Sequence, residues 1–178
     1  MTDKEPVRIR KATIEDDGES LSARLEIHND SGSTVHFIAA VRQLLYDPAS
    51  RQLTVRLSDH GLAELPFQPP FEVQPPMAAV DAHGRREITV KLPRHLTRVE
   101  PGPSIVQLPA HEATTVNIEV GWSDRAFYRD PRGKGGGMRA QLKKWERRVA
   151  AYQCRGIAKK GPPSQPPSTP PAAAPAAR

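Results

Sequence analysis

One stretch constrains this chain more than any other: Thr114-Thr115-Val116-Asn117-Ile118-Glu119-Val120-Gly121-Trp122. Val116, Ile118, Val120 and Trp122 share one parity, and Thr115, Asn117 and Glu119 share the other. Successive side chains point to opposite faces of a strand, so this period of two predicts a half-buried β-strand. Its β-branched and aromatic residues strengthen that reading. A strand of this kind needs neighbours, and the residues before it supply them.

Val7-Arg8-Ile9-Arg10 opens an alternation that reaches Ile14. The run Glu15-Asp16-Asp17-Gly18-Glu19-Ser20 follows, with Asp-Gly at its centre. Asp-Gly between alternating runs predicts a hairpin, because glycine accepts the positive φ that tight turns require. Leu21, Ala23, Leu25 and Ile27 then face inward, and Asn29-Asp30-Ser31-Gly32 makes the next turn. Thr34 to Tyr46 begins on Val35, Phe37, Ala39 and Val41 and changes phase at Leu44-Leu45-Tyr46. A phase change predicts a bulge or a strand passing from one sheet to another. Helical spacing of Ile38, Val41, Leu44 and Leu45 is the competing pattern, but the flanking turns and β-branched residues favour strand.

Leu53, Val55 and Leu57 return as a strand after the turn Asp47-Pro48-Ala49-Ser50. Residues 59–82 hold Pro66, Pro69, Pro70, Pro75 and Pro76 and read as irregular, with Phe71 and Val73 as a short edge strand. Ile88, Val90 and Leu92 alternate again, and Ile105 to Leu108 is a weaker strand after the turn Pro101-Gly102-Pro103. The sum is about seven to nine short strands, which predicts an antiparallel, immunoglobulin-like β-sandwich over residues 1–129. An antiparallel barrel is second. No strand-helix-strand pattern points to a dinucleotide fold.

Beyond Trp122 the composition changes. Ser123 to Tyr128 reads as a closing segment with Phe127 and Tyr128 as anchors. Residues 130–137 include Gly133, Gly135, Gly136 and Gly137 and read as a hinge. Met138, Leu142, Trp145, Val149 and Tyr152 then step at helical spacing, which predicts an amphipathic helix over residues 138–155 with Gly156 just past its end. Residues 156–178 are rich in Pro and Ala and predict a disordered tail, with Pro163–Pro166 and Pro167–Pro170 at P-x-x-P spacing.

Charge divides along the same boundary. The whole chain carries +6, but residues 134–178 hold ten Lys and Arg against Glu146 alone, leaving residues 1–133 at −3. A basic arm on a mildly acidic body points to an acidic protein, a nucleic-acid backbone or an anionic surface as partner. The residues expected to touch such a partner are Arg139, Lys143, Lys144, Trp145, Arg147, Arg148 and Tyr152. An acidic protein is the leading partner. Nucleic acid is second, weakened by the few aromatics available to stack bases.

Signals for chemistry are few. The histidines at 28, 36, 60, 83, 95 and 111 show no zinc spacing. Glu15, Asp16, Asp17 and Glu19 lack the order of a calcium loop and read as a solvated hairpin tip. Gly133-Lys134-Gly135-Gly136-Gly137 resembles a phosphate cradle in composition, but Met138 stands where a hydroxyl is needed. Cys154 is the single cysteine, so no internal disulfide forms, and nearby Arg148, Arg155 and Lys159 would lower its thiol pKa. No nucleophile elbow or kinase set is present. The expectation is therefore a non-catalytic interaction module with no cofactor and no metal. A small-molecule binder or hydrolase built on the 59–82 loops is the third class. The charged N-terminal residues and the lack of a long apolar run predict a cytoplasmic protein without a transmembrane segment.

Overall fold

The computed structural model describes residues 5–62, 73–102, 104–132, 134 and 136–161. The protein is mainly β, with several sheets and one α-helix among the described residues. Strands β1 (Val7–Asp16) and β2 (Ser20–Asn29) form the expected hairpin, and Gly18 at its tip has φ +93°. A β-carbon there would be strained, which is why the turn uses glycine. Asp17 accepts from the backbone N–H groups of Ser20 (2.7 Å) and Glu19 (3.0 Å). These bonds hold its carboxyl down to about 2. The acidic tip is thus occupied with shaping its own turn.

Strand β3 (Val35–Ile38) and β4 (Gln43–Asp47) come from the stretch that changes phase. The segment neither bulges in place nor changes sheet. It breaks over residues 39–42 and changes neighbour, because β5 (Gln52–Leu57) lies beside β4 and the C-terminal end of β10 (Thr115–Ser123) lies beside β3. Three further strands are β6 (Met77–Val80), β7 (Arg85–Pro93) and β8 (Leu96–Val99), and β9 (Ile105–Leu108) pairs with β8. β6 lies inside the stretch expected to be irregular, where Val73 is exposed coil and Phe71 falls outside the described residues.

After α1 (Met138–Trp145) the chain returns to the sheet as β11 (Arg148–Arg155), and β12 (Ala158–Lys159) ends the described structure. One sheet runs β12-β1-β2-β7. A second runs β4-β5-β10-β3-β6, with β11 on the other side of β10. The strands therefore number twelve among the described residues. Two pairings, β5 with β10 and β1 with β12, are parallel, which departs from the all-antiparallel expectation.

The two sheets share one hydrophobic core. Leu21, Ala23, Leu25 and Ile27 of β2 are 0% exposed, as are Val116, Ile118 and Val120 of β10. Each such Leu, Ile or Val side chain contributes about 1.5–3 kcal/mol through burial. β10 is central, with β11 along one edge and β5 and β3 on the other. Asn29 closes one end of the core. Its buried amide donates to the carbonyls of Ser33, Val80 and Asp81, linking β2 to the end of β6.

The helix predicted over residues 138–155 ends at Trp145, and its second half is strand β11. Ala150, Tyr152 and Cys154 also fit a period of two, and they lie on or against the core. The open edge of β10 offers eight consecutive backbone partners for residues 148–155. That tertiary gain outweighs a modest helix propensity. Residues 156–159 turn back to pair with β1, whereas residues 162–178, including both P-x-x-P spacings, lie outside the described residues. No helix among the described residues is long and apolar enough to cross a membrane.

Candidate functional site

The site is built where β10 ends and α1 meets β11. α1 docks through Met138 and Leu142, which bury against Ile38 of β3 with Met77, Phe127 and Trp145 around them. The first three residues of the predicted apolar stripe therefore serve the fold. Gln141 secures the approach to the helix, donating to Gly136 O at 2.7 Å and accepting from Asp130 N at 2.9 Å. The segment expected to be a hinge is thus tied to α1 at both described contacts.

Glu146 ends the helix. Its backbone leaves the helical region at φ −60°, ψ 123°. Its carboxylate accepts from Ser58 Oγ (2.7 Å) and from the Asp59 backbone N–H (2.7 Å), beyond the end of β5. Gly121 makes room for it, since a β-carbon there would stand 2.7 Å from Glu146 Oε1. Burial pushes the Glu146 carboxyl above its ordinary value, against the opposing pull of the Ser58 hydrogen bond. Beside it Asp59, 0% exposed, receives two hydrogen bonds from Arg42, at 2.6 and 3.1 Å. Ser58 and Asp59 are therefore committed to structure. The remaining 63–72 part of the third candidate region lies outside the described residues.

The next residues turn outward. Arg147 and Arg148 are exposed, and Arg147 lies 3.8 Å from Asp124. Two grooves meet at Arg147. One, of about 550 Å³, is lined by Pro6, Ser31, Ser33, Trp122, Arg147 and Arg148 among others. The other, of about 490 Å³, is lined by Arg125, Phe127, Tyr128, Lys144, Trp145 and Arg147 among others. Trp145 Nε1 donates to Arg125 O at 2.6 Å, and its ring meets Phe127 edge-on at 5.9 Å. Tyr128, expected to be an anchor, is 85% exposed. Trp122 is buried, and its indole N–H, itself shut off from solvent, has no hydrogen-bond partner among the described residues. The surface offers aromatic walls and cations.

Of the seven residues expected to bind a partner, the structure gathers Lys144, Trp145, Arg147 and Arg148 around these grooves. Lys143 instead donates to Leu62 O, and Arg139 is half-buried on α1. Tyr152 sits on β11 opposite Ile118, packed against the core. Asp124, Phe127, Tyr128, Ser31 and Ser33 were missing from the expectation. The aromatic pair after β10 was the available signal for two of them. Cys154 also differs from expectation. Burial raises its thiol pKa, because its side chain packs against the core and not among the nearby cations. No group of three or more His, Cys, Asp or Glu side chains among the described residues is arranged to hold a metal. Comparison with protein-family models, with curated proteins and with solved structures gives no match for the chain.

Proposed function

We propose that this protein is a non-catalytic interaction module that holds an acidic protein segment across the paired grooves at the α1–β11 junction. The observation that carries this reading is the convergence of Lys144, Arg147 and Arg148 on grooves walled by Trp145, Phe127 and Tyr128. Cations beside aromatic walls suit a peptide that alternates carboxylates with apolar or aromatic side chains. The β-sheet body is read as a rigid sandwich of immunoglobulin-like type, and its place of work as the reducing cytoplasm, which suits a single thiol.

Deleting the whole basic arm is a poor test, because it removes β11 from the edge of β10. Point changes are cleaner. An acidic, aromatic-containing peptide titrated by calorimetry should bind the intact protein. The Arg147→Glu/Arg148→Glu variant should bind at least tenfold more weakly, as two cation contacts become repulsions. Equal affinity for both proteins would refute the reading. A single-stranded oligonucleotide is the second probe. Tight oligonucleotide binding that falls steeply with salt, without peptide binding, would move the function to the nucleic-acid class.

A further inference from the structure

β7 is the outer strand of its sheet, and among the described residues no strand covers its far edge. It runs nine residues, Arg85–Pro93, in continuous register with β2 and without a bulge. Asn29 N donates to Gly84 O at 3.0 Å at the start of this ladder. Backbone groups alternate direction along an antiparallel strand, so even-numbered residues face β2. Glu87, Thr89 and Lys91 therefore present their N–H and C=O groups to the open edge. An unprotected edge of this length is a template for another strand.

The charges on β7 say which strand fits. We propose that β7 pairs antiparallel with β7 of a second copy of this chain, about a two-fold axis through Thr89. In that register Glu87 stands opposite the partner's Lys91, and Lys91 opposite the partner's Glu87. Ile88 stands opposite the partner's Val90, which continues the apolar layer beneath. Opposite charges facing each other across strands are favourable, and a two-fold axis makes each such pair occur twice. Neighbouring registers lose this match. An axis through Ile88 sets Arg85 against Lys91, and an axis through Glu87 sets Glu87 against itself. Pro93 has no N–H to donate and falls at the end of the ladder, opposite Arg85.

Both charged side chains are free to re-partner. Glu87 is 60% exposed with Arg24 3.5 Å away, and Lys91 is 66% exposed with Asp17 3.5 Å away. The arrangement is isologous, so it closes at two copies and leaves no further edge on β7.

Sedimentation velocity of the full chain over a concentration series tests the idea, with circular dichroism to check folding. The native protein should form a dimer. Glu87→Lys alone and Lys91→Glu alone should each weaken self-association by roughly tenfold or more, since every charge pair becomes a repulsion. An equimolar mixture of the two variants should restore a one-to-one dimer. One copy then presents cations at both facing positions and the other presents carboxylates at both. Thr89→Pro is an independent variant. It removes an outward N–H without touching the β2 ladder, and should leave a folded monomer. A native protein that stays monomeric throughout the series would overturn the proposal. So would a dimer indifferent to all three substitutions, or a mixture that fails to pair when its folded components are monomers.

Discussion

Glu146 and the two arginines after it lie within three residues of each other but belong to different environments. Glu146 turns inward over Gly121 and takes hydrogen bonds from Ser58 and Asp59. Arg147 and Arg148 turn outward onto two grooves, with Asp124 the nearest carboxylate to Arg147. The inward side fixes where the helix stops and the strand begins. The outward side chains are exposed. The contrast teaches that the buried contacts and the groove surface are open to separate substitution, although one short turn carries both.

The comparison breaks most severely through Arg42→Ala. Asp59 would be left fully buried without its guanidinium, and loss of one partner of a buried pair costs about 3–5 kcal/mol. Urea denaturation would show the midpoint fall. Gly121→Val comes next. The added side chain must displace the Glu146 carboxylate, and overpacking of this kind costs about 1–3 kcal/mol. The same measurement checks it, and unchanged stability would mean that Glu146 does not rest on Gly121.

A smaller effect sharpens the inward side through pH. The folded-state pKa of Glu146 lies above the ordinary carboxylate value of 4.5, so the folded chain binds this proton more tightly than the unfolded chain. Its linkage term therefore favours folding at low pH, and is lost as pH rises from 4.5 through the raised value. Glu146→Gln should remove that downward contribution from a stability-against-pH series, leaving the other carboxylates to shape the curve. The smallest effect is on the outward side. Arg147→Glu/Arg148→Glu should change stability by no more than about 0.5 kcal/mol, since both side chains are exposed. A large loss of stability would show that the outward side serves the fold after all.

The legible parts of the fold are those where local chemistry and tertiary need agree. Asp17-Gly18 marks its hairpin because glycine alone suits the backbone there, and Val116 to Trp122 marks a central strand because both parities are informative. β11 was hidden because Val149 and Tyr152 continue a 3.6-residue stripe, while Ala150, Tyr152 and Cys154 fit a period of 2. Only the vacant edge of β10 decides between them, and that edge is a property of the assembled sheet. β6 was hidden behind Pro75 and Pro76, which mark a loop up to the residue before it starts. For the site, the charge division located Lys144, Arg147 and Arg148, but not the side facing them. Ser31, Ser33 and Asp124 join through topology.

β11 has one more consequence. It starts at the grooves, beside Trp122, and ends beside Thr115, so its eight residues carry the chain roughly 26 Å toward the opposite end of β10. There Lys160 N donates to Asp16 O, near the last of the described residues. A pull on the chain beyond Lys160 would meet a short clasp first, the two-residue ladder to β1, and then the long ladder to β10. The grooves sit at the far end of that second ladder. Force entering from the C-terminal side would therefore have to part β11 from β10 before it reached the grooves.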